Sequence, residues 1–289
     1  MSLSARIEQS LDEAIRHAEG PGAPPLLASA LRYSVFPGGH RIRPQLCLAV
    51  AMACGDTDPQ AANAAAAAIE LLHCASLVHD DLPCFDNADL RRGKASVHVE
   101  YGAPLAVLSG DALIVLAFET LARGITQNPS RLVTLLSTIA SAVGSPNGIV
   151  AGQAWESESA VSLTDYQRAK TGALFVAATA AGAAASGADP AIWGVLGAKL
   201  GEAYQVADDL RDILCDAEEL GKPIGQDAAR HRPNAAAQLG IGGAKARLES
   251  LVKGAIDSIP VCPGQAELQA LIKAQTRAFF PKQLAQAAA

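Results

Sequence analysis

Apolar positions along this chain recur at helical rather than strand spacing. From Gln60 the run "QAANAAAAAIELLHCASLVHDDL" stays apolar for about six turns and halts at Pro83, whose ring restricts Leu82 and removes a backbone donor. A second helix carries Leu196, Leu200, Val206, Leu210 and Leu214 at its apolar positions, and the N-terminal "MSLSARIEQSLDEAIRHAEG" is amphipathic with charges on its outer face. Helix signals return every 20 residues or so, separated by short breakers such as "EGPGAPP", "VFPGG", "GDTDPQ", "GSPNG", "GADP" and "PVCPGQ". None of these breakers is long enough to be a domain linker, and no fixed-period repeat appears. Alternation of β-branched and aromatic residues is nearly missing, so the pattern predicts an all-α, single-domain, multi-helix bundle spanning 1–289.

Composition narrows this further. Half of the 289 residues are apolar and only 4% aromatic, enough for a sizeable core built largely from alanine and leucine. A net charge of −6, with no basic run longer than a pair, argues against nucleic acid or an anionic membrane as partner. The six cysteines form no C-x-x-C pair and the N-terminus does not read as a signal peptide, which points to a reduced, cytoplasmic protein. No transmembrane segment is expected, and any membrane association would be peripheral.

The candidate chemistry lies in two acidic clusters. Asp80 and Asp81 fall in the last turn of the first long helix, the end where the macrodipole disfavours anions by about 0.3–1 kcal/mol per charge, so a positive group should compensate. Past Pro83, a loop can fold Asp86 back toward Asp80. In the second helix Gln205, Asp208, Asp209 and Asp212 are spaced i, i+3, i+4, i+7 and share one stripe. Oxygen donors without Cys or His spacing suit a hard cation, and magnesium shared with a phosphorylated ligand fits scattered carboxylates better than zinc. Cations lie close by in sequence: Arg91 and Arg92, Arg41 and Arg43 beside Gly38–Gly39, Lys170 with Thr171, and Lys222. Guanidinium forks bind diphosphate oxygens in bidentate fashion.

The blocks "GGHRIRP", "LLHCASLVHDDLPCFDNADLRRGK", "SGDAL", "GQAWE", "AKTGALF" and "YQVADDLRDI...GKPIGQD" occur in this order across nearly the whole chain. Together they resemble the trans-isoprenyl diphosphate synthases (polyprenyl synthetases), most nearly the bacterial geranylgeranyl diphosphate synthases. The resemblance implies helices around a deep central cavity, a homodimer, and about three magnesium ions per site. It implies Asp80, Asp86, Asp208 and Asp212 at the metal, with Asp81 and Asp209 in support. It implies that Arg91, Lys170, Thr171, Gln205 and Lys222 hold an allylic diphosphate (dimethylallyl, geranyl or farnesyl), and that Gly39, His40, Arg43, His73 and Arg92 hold isopentenyl diphosphate. His40 and His231 stand where the family usually has lysines, which weakens a fixed positive charge at neutral pH.

A chain growing down the first helix away from Asp80 would meet Ala75 and Ser76 about one turn, roughly 5.4 Å, below the metals, and Leu72 about a turn further. The resemblance implies that small residues there go with products longer than farnesyl diphosphate, so geranylgeranyl diphosphate is the expected product and farnesyl diphosphate the alternative. A terpene cyclase would lack the arginines of the isopentenyl site. A non-catalytic regulatory subunit would be expected to lose one acidic cluster, and both are present.

Overall fold

The computed structural model describes residues 2–36, 38–126, 128–159, 162–214 and 235–280. Helices account for nearly all regular structure among them: α1 (Leu3–Ala18), α2 (Pro25–Val35), α3 (Ile42–Ala53), α4 (Pro59–Asp80), α5 (Val97–Tyr101), α6 (Ala103–Gly124), α7 (Pro129–Val143), α8 (Ile149–Ala154), α9 (Leu163–Gln167), α10 (Ala173–Ala185), α11 (Gly194–Leu214), α12 (Ala235–Asp257) and α13 (Gln265–Thr276). The all-α expectation holds, with one addition. A two-residue hairpin, β1 (Leu90–Arg91) against β2 (Lys94–Ala95), follows α4. Its turn residues Arg92 and Gly93 both have positive φ, 54° and 75°, matching the right-handed twist of a tight hairpin. Four strand residues are too few to leave a period-two pattern in the sequence.

The helices divide into two compact units, Met1–Ala140 with Ala178–Pro190, and Ser141–Ala177 with Ala191–Ala289. In the first, α4 packs along α6 and against α3 and α1. Asp58 caps α4 by accepting from the Ala61 N–H at 3.0 Å, with Pro59 at the first helical position where its missing donor is harmless. Val78 of α4 and Leu82 just past its end join Ala30, Val97 and Ala106 in a cluster against which Tyr33 and Tyr101 pack. In the second unit α11 packs along α12, and Tyr204 on α11 lies between the rings of Phe175 and Phe279, centroids 5.5 and 5.7 Å away.

By length and composition alone, α4 and α6, 22 residues each, are long and apolar enough to cross a membrane, a test that the core helix of a packed protein also meets. The most apolar stretch of α4 is 78% buried, as in the core helix of a packed protein, whereas that of α6 is 39% buried.

One buried cation fixes the loop before α3. Arg41 adopts φ 50° at the N-terminus of α3, and its guanidinium donates to Glu70 at 2.8 Å, to Glu8 at 2.9 Å and to the Val35 carbonyl at 2.8 Å. Burial alone would lower its pKa; the bonds to Glu8 and the charge of Glu70 outweigh that and hold it above the usual arginine value. Arg41 is therefore an internal brace rather than a free ligand-binding group, which corrects the reading from sequence. Glu70 is 2% exposed, so Glu70→Ala leaves a buried guanidinium short of a carboxylate. Denaturant unfolding should show a loss of about 3–5 kcal/mol, and a loss below about 1 kcal/mol would contradict the brace.

Candidate active site

α4 ends at Asp80, with Asp81 as cap, two residues earlier than its apolar run suggests. The loop that follows folds back and supplies the backbone donors that the helix end lacks. The Asp86 N–H donates to the Asp80 carbonyl at 2.9 Å, that of Asn87 to Leu82 at 3.0 Å and that of Ala88 to Asp81 at 3.2 Å. Asp86 is thereby returned to Asp80, as the spacing predicts. The compensating positive group also exists: Arg91 donates from Nε and Nη2 to the carboxylate of Asp81, which is 2% exposed. Burial pulls the Arg91 pKa down, but the hydrogen bonds and charge of Asp81 raise it above its ordinary value.

A cationic group surrounds the start of α3 and the middle of α4. Gly39 lets Arg92 lie flat against the loop, since a Cβ there would fall 2.6 Å from its Cζ; likewise a Cβ at Gly38 would meet the Arg41 guanidinium at 2.1 Å. The paired glycines thus admit two arginine side chains, a different use from the expected approach of backbone to ligand. Arg92 is exposed and, among the described residues, forms no ion pair. Arg43 Nη1 lies 3.4 Å from His73 Nε2. Removal from water and the charges of Arg43, Arg92, Arg91 and Arg41 depress the His73 pKa well below the usual imidazole value. His73 is therefore neutral at pH 7, and because Arg43 can only donate, Nε2 accepts and Nδ1 carries the proton. The structure brings together Gly39, Arg43, His73 and Arg92. The His40 ring is exposed, with its carbonyl bound by Gln45 Nε2 at 2.9 Å.

The second unit holds the other acidic cluster. Asp208 and Asp212 are partly exposed on α11, whereas Asp209 is 1% exposed and accepts from Gln205 Nε2 at 3.0 Å. Thr171 donates to Gln205 Oε1 at 2.9 Å, so the Gln205 amide links Thr171 to Asp209 and has its orientation fixed. Lys170 donates to Glu156 at 2.5 Å. Glu156 belongs to the "GQAWE" block but had no role assigned from sequence; an acid closing that block fourteen residues before Lys170 was the available signal. Lys222 and His231 lie outside the described residues. Ala75 and Leu72 are buried in α4, and Ser76, partly exposed, shares the face of Asp80 one turn away.

Among the described residues no three His, Cys, Asp or Glu side chains converge into a ready-made metal cage. The donor set formed by Asp80, Asp86, Asp208 and Asp212 is made of carboxylate oxygens. It suits magnesium, which keeps waters, takes one or two carboxylates and completes its octahedron with phosphate oxygens.

Comparison with known proteins agrees with this chemistry. The polyprenyl synthetase family model matches residues 24–259. A geranylgeranyl diphosphate synthase of Cereibacter sphaeroides is 55% identical over 285 residues, covering 99% of each chain. A geranylgeranyl diphosphate synthase of Rhodobacter capsulatus is 54% identical, covering 94% of each. The solved structure of a geranyltransferase from Helicobacter pylori, complexed with magnesium and isoprenyl diphosphate, aligns with TM-score 0.81 and 30% identity over 94% of this chain and 95% of that one.

Proposed function

The chain belongs to the polyprenyl synthetase family, and on that footing we propose that it condenses isopentenyl diphosphate with an allylic diphosphate to make geranylgeranyl diphosphate. It is a prenyl-transferring enzyme, and the whole chain acts as one catalytic domain. The observation that carries the reading is the group formed by Arg43 of α3, neutral His73 of α4, and Arg92 of the hairpin turn against Gly39, with Arg92 in no ion pair among the described residues.

In this reading Arg43 and Arg92, with Gly39, His40 and His73, hold isopentenyl diphosphate. Arg91, Lys170, Thr171, Gln205 and Lys222 hold the allylic diphosphate. Asp81 takes Nε and Nη2 of Arg91 and so aims the remaining Nη1 at a phosphate oxygen. Asp80, Asp86, Asp208 and Asp212 hold magnesium, with Asp81 and Asp209 supporting the residues beside them. Magnesium, when bound, neutralises the charge that develops on the departing diphosphate. The guanidinium and ammonium groups hold that diphosphate in place as the allylic carbon–oxygen bond breaks. The isopentenyl double bond then attacks the allylic cation, and the proton lost from the new adduct passes to pyrophosphate. No side-chain nucleophile is needed, and aliphatic walls keep water from quenching the cation.

Five described cysteines are free thiols, which supports a reducing, cytoplasmic location. A homodimer is supported by the aliphatic face that α6 leaves uncovered, with Leu108 51% and Val115 59% exposed. Incubation with labelled isopentenyl diphosphate, magnesium and each of the three primers, followed by sizing of the dephosphorylated alcohols, tests the reading. A C20 alcohol is expected. A C15 end point would make the chain a farnesyl diphosphate synthase, and no turnover with any primer would make it a regulatory subunit.

A further inference from the structure

We infer that Glu156 is a positioning residue for the allylic diphosphate, acting through Lys170. The inference rests on the proposed role of Lys170 and deepens it. Among the described residues, the Glu156 carboxylate accepts from donors on three short elements. Lys170 Nζ lies 2.5 Å from Oε1, the Tyr166 hydroxyl 2.6 Å from the same oxygen, and Gln153 Nε2 3.1 Å from Oε2. Lys170 Nζ also lies 5.9 Å from the centroid of the Tyr166 ring, so one flexible ammonium is bounded by a carboxylate and an aromatic ring.

The backbone under this cluster is specialised. Lys170 sits in a five-residue π-helical turn, Arg168–Gly172, between α9 and α10. Wide turns of this kind re-aim side chains and recur at functional sites. α8 approaches the turn closely: a Cβ on Gly152 would fall 2.4 Å from the Lys170 backbone nitrogen. From the other side a Cβ on Gly201 of α11 would fall 2.9 Å from the Gly172 Cα. The backbone of Lys170 is thus set by packing, and the end of its side chain by Glu156. Thr171, the next residue in the turn, is tied to Gln205.

A lysine carries its charge on a four-carbon stem with freely turning donors, and it gives little directional binding unless its tip is held. Glu156 and Tyr166 hold the tip from one side, which leaves the other N–H donors for phosphate oxygens. The carboxylate also offsets part of the ammonium charge, which by itself would weaken attraction to a diphosphate. With divalent cations carrying most of the neutralisation, the ordering of Lys170 decides the sign.

Steady-state kinetics on the full-length enzyme, with the allylic substrate varied, test the inference. Glu156→Ala should raise the allylic KM roughly tenfold, with kcat and the isopentenyl KM nearly unchanged. Glu156→Gln, which keeps an acceptor at Oε1 and loses the charge, should recover part of that loss. In a Lys170→Met background Glu156→Ala should add nothing, because the carboxylate acts only through the ammonium. An allylic KM that falls or stays constant in Glu156→Ala overturns the inference, as does an effect that persists in the Lys170→Met background. Should Lys170→Met itself leave the allylic KM unchanged, the assignment of Lys170 to the diphosphate fails first, so the two failures are told apart.

Discussion

Asp80→Ala and Asp208→Ala each lower condensation by about a thousandfold or more while the protein stays folded. Each substitution removes a carboxylate that the account assigns to magnesium, and with it charge stabilisation available only as the diphosphate leaves. The stability side follows from helix electrostatics. Asp80 is the last residue of α4, where an anion opposes the macrodipole at a cost of about 0.3–1 kcal/mol while the Arg91 charge attracts it, so the two effects offset and its removal changes unfolding free energy by less than about 1 kcal/mol. Turnover of labelled isopentenyl diphosphate and a denaturant midpoint, measured on the same preparations, separate the two effects. Near-normal turnover in either variant contradicts the metal assignment. Collapse of the fold would instead make the aspartate a structural residue.

Ala75→Phe should shorten the product from C20 toward C15. The residue lies on α4 about a turn before Asp80, and in the proposed reading a phenyl ring there would take up the depth that the last five carbons need. Ala75 is 1% exposed, so the added volume is expected to cost about 1–3 kcal/mol of stability through overpacking. Ser76→Phe is the companion variant. Ser76 is only partly buried and lies on the face of Asp80, and it should shorten the product with less strain. Chromatography of the dephosphorylated alcohols reads both; an unchanged C20 product in both variants rules out a floor at this level.

Much of this was legible in the sequence because it is local. The breaker "GDTDPQ" bounds the start of α4 and Pro83 sets its end to within two residues, and the i, i+3, i+4, i+7 spacing of Gln205 to Asp212 needs only the helical repeat. The return of Asp86 to Asp80 also follows from a short loop that must satisfy the last carbonyls of a helix. What was not legible depends on partners distant along the chain. Arg41 reads as one more cation beside glycines until Glu70, 29 residues away, and Glu8, 33 away, are seen to enclose it. Glu156 likewise has no meaning until the π-helical turn brings Lys170 and Tyr166 to its oxygens. The inward turn of Asp209 divides an acidic stripe that looks uniform in sequence, because only packing decides which carboxylate of an i, i+1 pair is buried.

The central claim is that both aspartate clusters act on a single diphosphate through shared divalent ions. A crystal structure with manganese in place of magnesium and an uncleavable allylic thiodiphosphate, its ions located by anomalous scattering, tests it most directly. The account predicts ions bound by Asp80 and Asp86 and an ion bound by Asp208, all sharing oxygens of the same diphosphate. Ions on one cluster alone, or a diphosphate that reaches neither Asp80 nor Asp208, would contradict it.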